Sequence, residues 1–98
     1  MRRYAFRRDA NEPEIVQAAR NAGLKVFYTN ELGDLLVQFG TERVLTEIWE
    51  VKTDKGKLTT AQMKLRQAGL KARLVRTVAD VMEARKEMLN TLARLTEW

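Results

Sequence analysis

Gly33–Val37, with the sequence GDLLV, and Glu47–Lys52, with the sequence EIWEVK, flank a short polar turn. Both runs are rich in strand-forming apolar residues, which predicts a β-hairpin with a short loop. Because side chains alternate along a strand, we expect Glu50 and Lys52 on one face of the second strand and Val51 on the other. A carboxylate and an ammonium group therefore share a face at the end of a strand whose other residues favour burial.

These charged residues have two interpretations. In the first, Glu50 and Lys52 form a weak ion pair at the protein surface. In the second, Asp34 and Glu50 supply oxygen ligands to a Mg²⁺ ion, the Val51 carbonyl supplies a third, and Lys52 lies beside the attacking water. We expect both carboxylates to be partly exposed. The residues of the hairpin alone leave the choice open.

The composition restricts the available chemistry. The chain has 98 residues, of which 45% are hydrophobic and 32% charged, and it contains no cysteine and no histidine. Disulfides, thiolate-bound zinc and histidine-based catalytic triads are therefore excluded, which leaves carboxylates, lysine and a divalent metal. Neither a signal peptide nor an apolar run of membrane-spanning length is present, so we expect a cytoplasmic protein with no membrane partner.

The charge balance favours a polyanionic partner. Lysine and arginine total 18 against 13 acidic residues, a net charge of +5, which is typical of many nucleic-acid-binding domains. The basic N-terminal run suits either an arm on phosphates, a short edge strand or a frayed terminus. The residues expected to contact DNA are Arg2, Arg3, Arg7, Arg8, Lys55, Lys57, Arg73 and Arg76.

The first helix is predicted over residues 9–22, with Asp9 or Asn11 as its N-cap. Its buried stripe is Ile15, Val16, Ala19 and Ala22. Glu12 precedes the first two of these by three and four residues, so we expect it at the edge of the stripe, facing the sheet. Glu14 points further round the helix. Either glutamate also suits a role in capping, with Glu14 three residues after Asn11.

Four further segments complete the pattern. Strands are predicted over residues 24–28 and 71–76, and Thr59 opens a second helix with Gln62 as its capping-box partner. This order predicts an α/β fold whose mixed central sheet is flanked by helices, the first three strands forming an antiparallel meander. The fold is expected to bring Glu12 and Gln62 toward the end of the sheet that carries Asp34, Glu50 and Lys52.

The final helix, expected over about residues 78–97 with Thr77 as its cap, carries a long apolar stripe. Its members are Val78, Val81, Met82, Met88 or Leu89, Leu92 and Leu95. A single domain spanning residues 1–98, with its core over about 9–81, has limited surface with which to cover such a stripe. We therefore expect a homodimer through this helix, the alternative being a helix that folds back onto its own sheet.

Several of these motifs together resemble the PD-(D/E)xK nuclease superfamily. They are Asp9-Ala10-Asn11-Glu12, Gly33-Asp34-Leu35-Leu36-Val37, Glu50-Val51-Lys52, and Leu58-Thr59-Thr60-Ala61-Gln62, and the match runs from about Asp9 to Val81. The chain is most similar to the small VRR-NUC-type nucleases of phages and mobile elements and to archaeal-type Holliday junction resolvases. The resemblance implies a restriction-endonuclease-like core and a bacterial or phage-infected host cell.

The resemblance also implies roles for the site residues. Asp34 and Glu50 would hold Mg²⁺ or Mn²⁺, and Lys52 would help form the hydroxide and neutralise the developing charge. Glu12, with Glu14 as the alternative, would complete the metal surroundings, and Gln62 would orient the lysine or the water. The chain departs from the family pattern at Gly33, which replaces a usual proline, and at Glu47 and Trp49, which replace aliphatic residues.

The implied function is a metal-dependent endonuclease that hydrolyses DNA phosphodiester bonds, with branched or junction DNA as a candidate substrate. Two alternatives remain. One is a non-catalytic nucleic-acid-binding module, and the other is an assembly subunit that uses its final helix as an interface. Both would keep the same fold.

Overall fold

The computed structural model describes residues 9–29, 34–53 and 55–95. Within these ranges the element order is α1 (Glu12–Asn21), β1 (Lys25–Tyr28), β2 (Leu35–Phe39), β3 (Leu45–Val51), α2 (Thr60–Gln67), β4 (Ala72–Val75) and α3 (Val78–Leu95). The predicted α/β class, with a mixed sheet and a long C-terminal helix, is confirmed. The predictions for Arg2, Arg3, Arg7, Arg8 and Gly33 lie outside the described residues.

The sheet has the strand order β1-β2-β3-β4. The first three strands form the predicted antiparallel meander, in which Leu35 pairs with Trp49 and Leu36 with Ile48. β4 returns parallel to β3, after the crossover that contains α2. The C-terminal ends of β3 and β4 therefore lie side by side, at the same edge as the start of β2.

The core lies between one face of this sheet and the helices α1 and α3. Its buried members are Ile15, Val16 and Ala19 of α1, Val81, Ala84 and Met88 of α3, and a set from the sheet that includes Leu35, Val37, Trp49, Val51 and Val75. Alternation along β3 turns Trp49 and Val51 into this core and Glu50 to the opposite face. The predicted separation of Val51 from Glu50 is confirmed.

α2 lies on the opposite face and contributes no buried residue. Its start follows the prediction, because the Thr59 hydroxyl accepts from the Gln62 N–H and the Gln62 side chain accepts from the Thr59 N–H. Both ends of the capping box are therefore made. Thr77 and Asp80 exchange the equivalent bonds at the start of α3.

The first helix begins later than predicted, at Glu12 instead of Asp9. Asn11 occupies the N-cap position but makes no side-chain capping bond. Its amide donates instead to the Lys52 carbonyl at 3.0 Å and to the Arg76 carbonyl at 2.8 Å. The segment before α1 is thus bound to the ends of β3 and β4. The Asn11 side chain is used in these contacts and does not cap its own helix.

The apolar stripe of α3 is divided between core and surface. Val81 and Met88 are buried together with Ala84, whereas Met82 and Leu89 are exposed by 48% and 47%. The predicted single stripe therefore combines two faces of the helix. The buried face covers the domain's own sheet, and the other faces outward.

Glu47 and Trp49, which replace aliphatic residues of the family pattern, belong to a polar cluster on the core side of the sheet. The Trp49 indole N–H donates to Glu47 Oε1 at 2.9 Å, and Arg73 of β4 donates to both oxygens of Glu47. Arg73 also donates to Glu87 of α3 at 2.8 Å. This cluster connects β3, β4 and α3, and gives the buried indole its hydrogen-bond partner.

Burial opposes the ionisation of Glu47, but the hydrogen bonds from Arg73 and Trp49 and the charge of Arg73 outweigh it, so the pKa of Glu47 falls below its ordinary value of 4.5. A lowered folded-state pKa means that the ionised carboxylate adds stability above the unfolded-state pKa and loses it as the pH falls through the folded-state pKa. We expect Glu47→Gln to lower the melting temperature at pH 7, with a difference from wild type that shrinks as the pH falls below 4.5.

Circular dichroism melts between neutral and acid pH measure this difference. Glu42→Gln, at an exposed position before β3, is the matched control and should change the melting temperature little at any pH. A Glu47→Gln deficit that stays constant across the whole pH range would contradict the assignment.

Candidate functional site

The first acid of the predicted site, Asp34, lies directly before β2. Its N–H donates to the Trp49 carbonyl at 3.0 Å, and its Oδ2 accepts from the Val51 N–H at 2.7 Å. The carboxylate therefore lies against the backbone of Glu50-Val51-Lys52. One step beyond the paired residues Leu35 and Trp49, the next residues on the two strands are Asp34 and Glu50, so the structure brings these two acids together.

The second acid, Glu50, is buried, with 2% of its surface exposed. The expectation that it would be partly exposed is wrong. Its Oε1 accepts from Arg66 Nε at 3.0 Å and from Arg66 Nη2 at 2.6 Å. A buried carboxylate needs such a partner because an uncompensated charge is costly away from water. Arg66 of α2 supplies that partner from above the sheet.

The end of β3 is fixed at three successive residues. The Val51 N–H donates to Asp34, the Lys52 carbonyl accepts from Asn11, and the Thr53 N–H donates to Asp9 Oδ2 at 3.1 Å. The Lys52 N–H also donates to the carbonyl of Val75 at 3.1 Å. The backbone around Lys52 is therefore held by the residues that precede α1, by the start of β2 and by the end of β4. The Lys52 side chain is half-buried.

The two candidate glutamates of α1 differ sharply in environment. Glu12 is 2% exposed and lies with Ile15 and Val16 on the buried face of α1, further inside than the predicted edge of the stripe, whereas Glu14 is exposed. Asn11, which directly precedes Glu12, contacts the residues that follow β3 and β4. The first turn of α1 therefore lies at the edge of the sheet that carries Asp34 and Glu50. α1 covers the core face, however, so it approaches this edge from the side opposite Glu50.

Some of the remaining predicted site residues make hydrogen bonds within the fold, and the others are exposed. The side-chain oxygen of Gln62 is used in the capping box of α2. Arg73 is held by Glu47 and Glu87, and Arg76 Nη1 donates to the carbonyls of Thr53 and Gly56. Because both arginines hold the fold together, they are less available to phosphate than an exposed residue, and their role as phosphate contacts stays a prediction. Lys55 and Lys57 are exposed, as such contacts require.

The carboxylate pair fits the ligand preference of Mg²⁺, which proteins commonly bind through one or two carboxylates together with water and substrate phosphates. Glu50 uses Oε1 for Arg66, and no hydrogen bond to its Oε2 occurs within the described ranges. In those ranges no group of three or more acidic residues is arranged to hold a metal ion. A metal at this edge would thus depend on Asp34 and Glu50 first.

Sequence reasoning missed three contributors: Asp9 as a partner of β3, Asn11 as a clamp on the strand ends, and Arg66 as the partner of Glu50. Arg66 follows Gln62 by four residues and so lies on the same face of α2. That spacing was the available signal, since Gln62 was itself expected at the site. The contacts of Asn11 span 41 and 65 residues, and no local pattern indicates them.

Fold and site together define a small α/β domain with an acid pair and a lysine at the exit of its central hairpin. No helix in the described part of the chain is long and apolar enough to cross a membrane. Comparison with known proteins identifies no relative, since no family model, no curated protein and no solved structure matches the chain.

Proposed function

We propose that this protein is a divalent-metal-dependent endonuclease that hydrolyses phosphodiester bonds of DNA. One observation carries the proposal: the Asp34 carboxylate contacts the Val51 N–H, which places it against the strand segment that presents Glu50 and Lys52. Asp34 from the start of β2 then meets Glu50 and Lys52 from the end of β3 at one edge of the sheet. Their resemblance to the PD-(D/E)xK pattern gives this arrangement its chemical interpretation.

In this proposal Asp34 and Glu50 would hold Mg²⁺ or Mn²⁺ together with the Val51 carbonyl, and Glu12, which approaches from the opposite face of the sheet, would complete the metal surroundings. When bound, the ion supplies a Lewis acid for the phosphoryl oxygen and a water of lowered pKa. Lys52 orients the attacking water and stabilises the negative charge that develops on the phosphate. Gln62 is a positioning residue for Lys52, in addition to its role in the cap. The chain would act in the cytoplasm of a bacterial or phage-infected cell.

The wild-type protein tests the activity directly. Labelled duplex, flap and four-way junction DNA are incubated with purified protein in Mg²⁺, Mn²⁺ or EDTA. We expect cleavage in either metal and none in EDTA, with a preference for the junction if the substrate is branched DNA. DNA that stays intact in both metals under conditions where the protein binds it would contradict the proposal.

The ion pair between Glu50 and Arg66 favours a second candidate function. A glutamate held by a buried ion pair is also what a non-catalytic nucleic-acid-binding module would retain, because the pair fixes α2 to the sheet. Such a module would bind DNA equally well in EDTA and in Mg²⁺, and would not cleave it. The same assay therefore separates the two functions.

Salt dependence provides a test of which basic residues contact DNA. Each phosphate contact adds about 0.9 to the slope of log K against log salt. We expect Lys55→Ala and Lys57→Ala each to reduce the slope by about that amount. Arg73→Gln is the matched control: it also removes one positive charge, but Arg73 is occupied by Glu47 and Glu87, so the slope should stay as in wild type.

Fluorescence anisotropy with a labelled duplex, at several salt concentrations in EDTA, gives these slopes. A larger loss of slope for Arg73→Gln than for the two lysine variants would reverse the assignment. An affinity independent of salt in the wild-type protein would argue against a DNA substrate altogether.

We also propose a homodimer through α3, which would provide two active sites for a substrate with two strands. The exposed residues Met82 and Leu89 support a contact on this face. We expect sedimentation at micromolar concentration to give a dimer mass, and Leu89→Glu to give a monomer of unchanged melting temperature. Met63→Glu, at an equally exposed residue of α2, should remain dimeric. A wild-type protein that sediments as a monomer would contradict the dimer.

A further inference from the structure

We infer that Arg66 exchanges partners during the reaction cycle: it holds Glu50 in the metal-free protein and contacts a nucleic-acid phosphate once a divalent cation binds Glu50. The inference rests on the proposed function, because it concerns the same acid pair. It adds a phosphate-binding residue that the sequence motifs do not include. Three features of α2 and its surroundings carry it.

The first feature is the geometry of the ion pair. Two of the three guanidinium nitrogens of Arg66, Nε and Nη2, donate to the single oxygen Oε1 of Glu50, instead of forming two parallel bonds to the two carboxylate oxygens. A cation that binds this carboxylate adds positive charge beside the guanidinium group. The two positive charges repel each other while they compete for one acid, so metal binding at Glu50 weakens the ion pair.

The second feature is the weak attachment of α2. None of its residues is buried, and within the described ranges Arg66 alone makes side-chain hydrogen bonds between α2 and the sheet. Elements with few buried contacts open at low cost in free energy. Loss of the contact with Glu50 therefore leaves the second half of α2 able to shift, with the Thr59–Gln62 cap still in place.

The third feature is the cleft beside the ion pair. It has a volume of ≈ 810 Å³ and is lined by Arg66, Lys71 and the apolar residues Leu36, Ile48 and Leu70, among others. The Arg66 side chain is 32% exposed, whereas that of Glu50 is only 3% exposed. The guanidinium group thus has one side on the buried acid and another toward an open, basic cleft. Arginine is well suited to bind a phosphate from such a position.

Titration with Mn²⁺ alone, followed by calorimetry, tests the competition. Arg66→Gln removes the competing charge but keeps a hydrogen-bond donor for Glu50, and Lys64→Gln removes an equal charge from an exposed residue of the same helix. We expect Arg66→Gln to bind Mn²⁺ about 5- to 150-fold more tightly than wild type, the usual range for coupled binding events. Lys64→Gln should bind as wild type does.

Amide hydrogen exchange of the wild-type protein tests the release without any substitution. We expect exchange of residues 60–67 to become faster when Mn²⁺ is saturating. With Mn²⁺ present, Arg66→Gln should also bind duplex DNA more weakly than Lys64→Gln, although it binds the metal more tightly. That opposite change in the two affinities is not expected of a residue that only stabilises the fold.

The outcomes separate this inference from the proposed function. If wild type and Arg66→Gln bind Mn²⁺ with equal affinity and α2 exchanges at the same rate, the partner exchange is wrong and the nuclease proposal stands. If neither protein binds Mn²⁺, both are wrong. Metal binding by Arg66→Gln alone would show that Arg66 blocks the acid pair permanently instead of leaving it, and would overturn the partner exchange.

Discussion

Asp34→Asn is expected to lower the rate of metal-dependent DNA cleavage by about 100- to 1,000-fold, the usual loss when one preorganised electrostatic group is removed from an active site. The substitution removes the charge that a divalent cation requires. It retains a side-chain oxygen that can accept the hydrogen bond from Val51, which the Asp34 carboxylate accepts at 2.7 Å. The hairpin should therefore keep its structure, and the loss should appear in the rate and in Mn²⁺ affinity.

The measurement is single-turnover cleavage of a labelled substrate, together with a melting curve and a DNA-binding curve in EDTA. Glu14→Gln is the matched control, since it neutralises an exposed acid at the same end of the sheet. It should leave the rate unchanged, whereas Glu12→Gln should lower it if Glu12 completes the metal surroundings. A cleavage rate for Asp34→Asn close to that of wild type would show that the acid pair is not the active site.

Local signals in the sequence predicted most of the fold. The hairpin followed from two apolar runs around a turn, and the starts of α2 and α3 followed from Thr59 with Gln62 and Thr77 with Asp80. Each of these signals acts over a few residues, where the physical cause is a short-range hydrogen bond or a side-chain period. The position of Glu12 beside the buried stripe was predicted for the same reason, since its spacing from Ile15 sets the helix face, but its burial was not predicted.

The chain's long-range contacts could not be predicted in this way. The residue type of Asn11 suits an N-cap, and only the tertiary structure shows that its amide serves Lys52 and Arg76 instead. Arg73 is basic and lies in a strand rich in basic residues, yet its neighbours across the sheet and on α3 are acids. Such competition between a local role and a distant partner is decided by packing, which composition does not reveal.

The same reasoning explains the error at Glu50. A Glu-x-Lys sequence at a strand end is typical of a solvent-exposed pair, and the spacing of Arg66 from Gln62 is the one local sign that an arginine 16 residues later returns over the strand. α2 makes this return because the parallel pairing of β3 and β4 requires a crossover. The crossover brings one cation above the buried acid, and the burial of Glu50 depends on it.

Arg66→Ala is expected to lower the free energy of unfolding by about 3–5 kcal/mol, the cost of leaving a buried charge without its partner. Glu50→Gln should cost less, because Arg66 is 32% exposed and can be solvated where it lies, whereas the side chain of Glu50 is 3% exposed. The change in the free energy of unfolding caused by Glu50→Gln should therefore have opposite signs in the wild-type protein and in Arg66→Ala. Glu50→Gln destabilises the wild-type protein and stabilises Arg66→Ala, in which it removes an unpaired buried charge.

Urea unfolding of the four proteins of this cycle measures the sign change. Lys64→Ala, an exposed position on the same helix, should stay within about 0.5 kcal/mol of wild type and controls for the loss of a helical cation. If Glu50→Gln is equally destabilising in both backgrounds, the two side chains do not depend on each other. The Glu50 carboxylate would then be compensated by some other group, and Arg66 would have no part in holding α2 over the site.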